Sequence, residues 1–111
     1  MRYEIILAPE AEEDLLKLKA SDRAKATDAL ERYLRYEPEK TSKSRIKRLE
    51  EMDWPKYRLR IDDLRAFYDV IYDVEESGVV EVLIVREKSE AMKWLEEFGR
   101  RTQEDDASPT E

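Results

Sequence analysis

Four arginines stand where neighbouring β-strands are predicted, and their spacing suggests a shared surface. The segment YRLRI at residues 57–61 alternates apolar and polar residues, which predicts a strand with Arg58 and Arg60 on one face. Arg65 begins the next predicted strand, and Arg86 ends the strand after it. Because a guanidinium stays charged and donates paired hydrogen bonds, a cluster of this kind is suited to phosphate.

Two interpretations of this region are open from the residues alone. In one, the arginines bind a polyanion and nearby aromatic rings stack on bases. The rings are Trp54, Tyr57, Tyr68 and Tyr72. In the other, the aromatic residues belong to the core, while the arginines pair with acidic neighbours and solvate the sheet. The acidic neighbours are Asp62, Asp63, Asp69 and Asp73.

The charge distribution singles out the segment that contains these strands. The 111-residue chain has a net charge of −7, but residues 40–65 hold 9 basic and 5 acidic side chains, a net of +4. The segments on either side are all acidic. Lys47 and Arg48 belong to this basic segment. Because salt screens charges beyond about 8–10 Å, a local basic surface can bind a polyanion on an acidic protein. A solvated basic loop is the alternative.

Composition excludes several chemistries. The chain has no cysteine and no histidine, which excludes disulfides and thiolate zinc sites and removes the usual general base. Glycine occurs only at Gly78 and Gly99, so a glycine-rich phosphate loop is excluded. Glu87 and Glu90, beside Arg86, could accept a proton or could cap the next helix. The N-terminus does not resemble a signal peptide and no apolar run is long enough to span a bilayer, which predicts a cytoplasmic protein without a membrane partner.

The elements that position these residues follow from apolar periodicity. A short strand at residues 3–7 precedes a helix that begins at Pro9, and a second helix begins at Ser21-Asp22 and stops before Pro38. Strands follow at residues 57–61, 64–73 and 79–85, and a short helix at residues 89–98. The order β-α-α-β-β-β-α predicts an α+β fold, with a helical hairpin packed on a four-stranded, mainly antiparallel, twisted sheet and a short C-terminal helix.

One domain is predicted over residues 1–99. Residues 100–111 carry 4 acidic and 2 basic side chains and almost no apolar residue, so an acidic disordered tail is expected there. Three consecutive strands form a meander in this prediction. Residues 79–85 are an almost unbroken apolar run, which predicts a central strand buried on both faces. The first strand must then pair beside this strand to become buried.

The chain resembles the RelE/ParE superfamily of toxins from toxin–antitoxin modules. The similarity covers roughly residues 2–95 and rests on four fragments in order: LAPEAEEDLLKL, IKRLEEM, KYRLRIDDLRAFYDV and VVEVLIVREKSEA. The third fragment is similar to the family pattern Y-R-L-R-x-G-D-Y-R-V-x-Y. The fragments are individually weak, but their order and spacing together are fairly specific.

The resemblance implies a toxin that a cognate antitoxin neutralises and that needs neither a metal nor another cofactor. Members similar to RelE enter the ribosome and cleave mRNA, in a reaction where a ribose 2′-hydroxyl attacks the adjacent phosphate. By this resemblance Arg65 and Arg86 are catalytic and stabilise the phosphorane, and Arg58 and Arg60 hold the RNA backbone. Lys47 and Arg48 are assigned to RNA binding as well.

The resemblance leaves the general base unassigned. The tyrosine that similar toxins often carry after the late arginine falls on Met92, which cannot transfer protons. The candidates are Glu87, Glu90, Tyr68 and Tyr72. Two other functions therefore stay open on the same fold: inhibition of DNA gyrase, as in members similar to ParE, and a degenerate toxin that serves as an antitoxin-binding co-repressor.

Overall fold

A computed structural model describes residues 1–102. It contains three helices, α1 (Pro9–Lys17), α2 (Ala20–Leu34) and α3 (Lys88–Phe98). The seven strands are β1 (Glu4–Leu7), β2 (Ile46–Arg48), β3 (Met52–Trp54), β4 (Tyr57–Ile61), β5 (Leu64–Tyr72), β6 (Gly78–Glu87) and β7 (Arg100–Arg101). The predicted order of helices and long strands is confirmed.

Five strands form the main sheet in the order β1-β6-β5-β4-β2. The pairs β6-β5, β5-β4 and β4-β2 are antiparallel, and β1 pairs in parallel with β6, so Glu4 lies opposite Val79. The mainly antiparallel α+β fold predicted from the sequence is confirmed, and the first strand does lie beside the strand predicted at residues 79–85. The sheet has a fifth strand, however, because β2 forms in a segment where no strand was predicted.

The first two helices, α1 and α2, cover one face of the sheet. Pro9 stands in the first turn of α1, where its missing N–H leaves no hydrogen bond unmade, and Glu10 and Glu12 lie near the positive end of the helix. The principal core lies between these helices and the sheet. Its fully buried side chains include Leu34, Leu59, Tyr68, Val80, Val82 and Val85.

A second, smaller core lies on the opposite face, beneath α3. There Trp94 contacts Phe67 at a ring-centroid distance of 6.1 Å and Trp54 at 5.6 Å. Leu83, Ile84 and Ala91 complete the buried cluster. The main contacts of α3 with the sheet are with β6 and β5, so it covers only part of this face.

The strand β7 extends the paired chain beyond Gly99, where the sequence analysis placed the end of the domain. Arg101 pairs with Met52, Arg100 pairs with Trp54, and the Thr102 amide donates to the Glu51 carbonyl at 2.8 Å. A pair of arginines has no apolar periodicity, so no strand could be predicted there from the sequence. The rest of the predicted tail, residues 103–111, lies outside the described residues.

Gly78 is needed for close packing and not for a positive φ. The positive φ of this turn belongs to Glu76, at 64°. A Cβ on Gly78 would instead collide with the ring of Tyr3, which packs over the start of β6. Gly78 therefore permits the close approach of the N-terminal segment to β6.

No helix within residues 1–102 is both long enough and apolar enough to cross a bilayer.

Candidate functional site

The pairing of three central strands places arginines side by side at one end of the sheet. In the register, Arg60 of β4 lies opposite Arg65 of β5, and Arg65 lies opposite Arg86 of β6. Arg58 is two residues from Arg60 on the same face, and Lys47 of β2 lies opposite Arg58. This face is the one that α3 covers in part, because Phe67 lies opposite Arg58 and packs beneath Trp94.

Arg65 is nearly buried, with 8% of its surface exposed, and is fixed by the backbone. Its Nη1 donates to the carbonyl oxygens of Asp62 at 2.8 Å and Leu64 at 2.9 Å. Burial and then the charge of Arg60 lower the pKa of Arg65, while Asp63 acts in the opposite direction. Carbonyl groups satisfy hydrogen bonds without neutralising the guanidinium, so Arg65 keeps its full positive charge.

Arg58 is partly buried, and one of its hydrogen-bond donors has no acceptor among the described residues. Its Nε is buried and has no hydrogen-bond partner among the described residues. Burial, followed by the charges of Arg65 and Arg60, lowers the pKa of Arg58. A buried, unpaired donor of this kind is rare in native proteins and calls for an explanation such as a missing acceptor. We call Arg58, Arg60 and Arg65 the arginine cluster.

The arginine cluster has no carboxylate partner within residues 1–102. Three of the four aspartates considered in the sequence analysis are engaged elsewhere. Asp62 pairs with Lys25 at 3.0 Å, Asp69 accepts the Lys56 amide at 2.6 Å, and Asp73 accepts two amides of its own turn. Asp63 forms no ion pair within residues 1–102, although its charge acts on Arg65. The interpretation in which these aspartates form ion pairs with the cluster is therefore wrong.

Arg86 has a different environment, although it is aligned with Arg65 in the sheet. Its Nε donates to Asp14 at 2.9 Å and its Nη2 donates to Glu10 at 3.0 Å, both on α1. Asp14 is buried and also accepts the Val85 amide at 3.1 Å. Burial lowers the pKa of Arg86, but the hydrogen bonds and charges of Asp14 and then Glu10 outweigh it and raise that pKa. The structure thus does not bring Arg86 into the arginine cluster.

Lys47 and Arg48 lie on opposite faces of β2. Lys47 is exposed beside Arg58 and extends the basic face to the edge of the sheet. The guanidinium of Arg48 lies 5.7 Å from the centroid of the Tyr57 ring, and its Nη1 donates to the Leu49 carbonyl at 2.7 Å. Only Lys47 therefore adds to the cluster.

The two tyrosines considered as bases belong to the opposite face of the sheet. The Tyr68 hydroxyl is buried and donates to the Pro38 carbonyl at 2.5 Å, and burial raises the pKa of Tyr68. The Tyr72 hydroxyl donates to Glu39 at 2.7 Å, and this hydrogen bond is the main cause that raises the pKa of Tyr72. Neither phenol can act as a base on the arginine face.

Glu87 is better placed than Glu90. A shallow depression of about 300 Å³ opens beside Arg65 at the start of α3, and its lining includes Glu87, Lys88 and Ser89. Glu90 lies one turn later, in an ion pair with Lys93 at 3.5 Å. Met92 is 48% exposed on α3 and brings no titratable group.

Asp14 is the functional candidate that the sequence analysis missed. A signal for it exists, because Asp14 stands on the same helical stripe as Ala11 and Leu18, at spacings of three and four residues. A carboxylate on the buried stripe of a helix requires a partner. That partner, Arg86, is 72 residues away, so the sequence could not identify it.

Comparisons with known proteins support the fold. No protein-family model matches the sequence, and no curated protein matches it. A chain of the toxin–antitoxin complex RelBE2 from Mycobacterium tuberculosis is similar, with a TM-score of 0.58 and 23% identity over 79% of this chain and 100% of that one. A chain of the archaeal RelE–RelB complex from Pyrococcus horikoshii gives a TM-score of 0.60 and 21% identity, over 79% of this chain and 97% of that one. The chain therefore has the RelE-like fold that its sequence resemblance implied.

Proposed function

We propose that this chain is the toxin of a toxin–antitoxin module and cleaves mRNA within the ribosome. The observation that carries the proposal is the arginine cluster, which presents three guanidinium groups without a carboxylate partner among the described residues. Charges of one sign held together cost stability unless a ligand of the other sign compensates them. RNA phosphate is a ligand of that charge, and guanidinium donors match its geometry.

The proposed reaction is transesterification at one phosphate. The ribose 2′-oxygen loses its proton and forms a bond to phosphorus, the bond to the 5′-oxygen breaks, and the 5′-oxygen takes a proton from water. Negative charge gathers on the phosphoryl oxygens in the transition state. Arg65 is the best placed to stabilise that charge, because its guanidinium is already fixed by two carbonyl oxygens and needs little reorganisation. Arg58 and Arg60 hold the flanking backbone, with Lys47 at the edge.

Glu87 is the proposed acceptor of the 2′-hydroxyl proton. It borders the same depression as Arg65, whereas Tyr68 and Tyr72 lie on the other face with raised pKa values. A carboxylate is a weak base at neutral pH, so this step limits the rate in the proposed mechanism. Arg86 contributes to the reaction only when RNA draws it away from Asp14 and Glu10.

The proposed partner is a cognate antitoxin that covers the arginine cluster. The two similar structures are complexes, one described as toxin–antitoxin and the other as RelE–RelB. An acidic or backbone-carbonyl surface of the antitoxin would satisfy Arg58 Nε and exclude RNA by direct competition.

In vitro translation with this protein, followed by mapping of mRNA 5′ ends, tests the proposal. We expect cleavage at ribosome-occupied codons with the unaltered chain and cleavage about 10²–10³-fold slower with Arg65→Ala. Arg2→Ala, an exposed control, should behave as the unaltered chain. Intact mRNA at concentrations that arrest growth would contradict the proposed reaction.

A gyrase inhibitor is the second candidate, and one observation favours it. Within residues 1–102 no side chain in the arginine cluster itself can transfer a proton at neutral pH, and an inhibitor that acts by binding needs none. Inhibition of DNA supercoiling without mRNA cleavage would select this candidate. Absence of both activities, with antitoxin binding retained, would select the co-repressor.

A further inference from the structure

A second basic site lies at the end of α2, outside the arginine cluster. It is a cavity of about 270 Å³ between the last turns of α2 and the segment that enters β2. Its lining includes Arg32, Tyr33, Tyr36, Lys40 and Arg45. The mechanism proposed above uses none of these residues.

Two guanidinium groups share one aromatic ring in this cavity. Arg45 lies 5.2 Å and Arg32 lies 5.7 Å from the centroid of the Tyr33 ring. Stacking on a ring holds a guanidinium in place while its N–H donors stay available in the ring plane. Neither arginine has an ion-pair partner among the described residues, because the one carboxylate of the lining, Glu37, pairs with Lys40 at 3.8 Å.

The loop that carries Arg45 is fixed by its own hydrogen bonds. The Ser42 hydroxyl accepts the Arg45 amide at 3.1 Å, and the Ile46 carbonyl accepts the Ser42 amide at 2.9 Å. The cationic lining is therefore organised before a ligand binds, which lowers the entropic cost of binding.

Tyr36 supplies an exposed aromatic surface in the same cavity. It is 61% exposed and belongs to no aromatic pair within residues 1–102. Proteins that bind single-stranded nucleic acids combine exposed aromatic rings with unpaired cations. The base stacks on the ring and the phosphate binds the cation. An acidic protein segment would use the cations but would have no need of the ring.

Arg45 links the cavity to the arginine cluster. The Arg60 amide donates to the Arg45 carbonyl at 2.9 Å, and Arg45 Nη1 donates to the Arg60 carbonyl at 3.2 Å. The cavity lies on the α2 face of the sheet and the cluster lies on the opposite face. In the proposed arrangement, a nucleic-acid strand therefore passes from the cluster around the β2 edge to the cavity.

We propose that this cavity binds a nucleotide of the RNA strand whose scissile phosphate lies at the arginine cluster, with the base on Tyr36 and a phosphate at Arg32 and Arg45. The inference rests on the proposed function, because it assigns a second subsite to the same RNA. The α2 cavity would then add affinity for RNA beyond the reacting phosphate.

Fluorescence anisotropy with a labelled single-stranded RNA of eight nucleotides tests the subsite. We expect Tyr36→Ala to weaken binding about fivefold to a hundredfold, as for loss of one base stack, and Tyr36→Phe to bind as the unaltered chain. We expect Arg32→Gln to reduce the slope of log affinity against log salt by about 0.7, and Arg2→Gln to leave that slope unchanged. A trinucleotide should be insensitive to Tyr36→Ala.

Three results separate failure of this inference from failure of the proposed function. If Arg58→Gln with Arg60→Gln weakens RNA binding but Tyr36→Ala does not, the subsite alone is overturned. If the double variant does not weaken binding, the RNA-binding function itself is overturned. If Tyr36→Ala weakens binding of polyglutamate as much as that of RNA, the ligand is an acidic protein segment and the subsite proposal is overturned.

Discussion

Arg65 and Arg86 stand opposite each other on neighbouring strands, yet their surroundings differ completely. Arg65 meets two backbone carbonyls and two further arginines, whereas Arg86 meets the carboxylates of Asp14 and Glu10. The difference arises from α1, which follows β1 and brings its carboxylates to the end of β6. Asp63 and Glu87 border the depression beside Arg65, but no carboxylate of the described residues forms an ion pair with the cluster.

This contrast teaches that the same residue type serves two purposes at one end of the sheet. Arg86 fixes α1 to the sheet through a partly buried ion pair, and Asp14 strengthens the join by binding the Val85 amide. The arginine cluster stabilises nothing of the kind, because its members repel one another. Features that lower stability, such as like charges held together without ion pairs, occur most often at functional sites. The arginine cluster is such a feature.

The largest expected effect is on the cluster. Arg65→Ala should reduce mRNA cleavage about 10²–10³-fold, the usual consequence of losing one preorganised donor to a transition state. The measurement is the rate of mRNA cleavage in a translation extract. Arg65→Lys keeps the charge but not the paired donors, so it should retain only part of the activity. Full activity of Arg65→Ala would contradict the assignment of this residue.

Arg86→Ala should act mainly on stability. It leaves the buried Asp14 with only the Val85 amide as partner, at a cost of about 1–3 kcal/mol in the free energy of unfolding, below the fully buried case because Arg86 is 28% exposed. Urea unfolding measures this free energy.

A double-mutant cycle with Asp14→Asn sharpens the contrast. The two substitutions should show a coupling of about 1 kcal/mol or more, since each removes the other's partner. Additive effects would mean that the ion pair does not join α1 to β6.

Lys47→Glu gives the arginine cluster a neighbouring carboxylate, as Arg86 has in Asp14 and Glu10. It places a carboxylate directly opposite Arg58. A cross-strand ion pair should raise the free energy of unfolding by about 0.2–1 kcal/mol, while RNA binding weakens and its salt dependence becomes less steep. Lys19→Glu, an exposed substitution before α2, provides the same charge change as a control. Equal loss of RNA binding in both variants would show that only net charge matters.

Asp69 is a carboxylate that forms no ion pair within residues 1–102, whereas the cluster consists of cations without one. Its replacement should have the smallest effect on stability of the changes considered. Burial raises its pKa above the ordinary 3.8, although the Lys56 amide and nearby cations oppose the shift. A raised folded pKa means that this group contributes stability below its unfolded pKa, and that the contribution is lost as pH rises through the folded pKa. The unaltered chain should therefore lose stability relative to Asp69→Asn as pH rises from about 3.5 to 7. Urea unfolding of both chains across that range measures the difference.

The sequence predicted the elements whose signals are local. Period-two alternation located β4, and Pro9 and Pro38 located the limits of the helical hairpin. The short strands β2, β3 and β7 were missed because two or three residues show no periodicity. The cluster was predicted in part, because strand alternation places Arg58 and Arg60 on one face. The separation of Arg86 could not be predicted, since it depends on a contact between α1 and β6 that spans 72 residues.

The parallel pairing of β1 with β6 has a consequence for synthesis. Within residues 1–102, β1 pairs only with Val79–Val82, so the first strand stays unpaired until the ribosome has translated β6. At about 5–20 residues per second this delay lasts several seconds. The ion pairs of the α1 carboxylates with Arg86 also form only after β6 has been translated. A nascent chain therefore completes this sheet only after β6 has emerged, and a truncated product that ends before β6 lacks the strand with which β1 pairs.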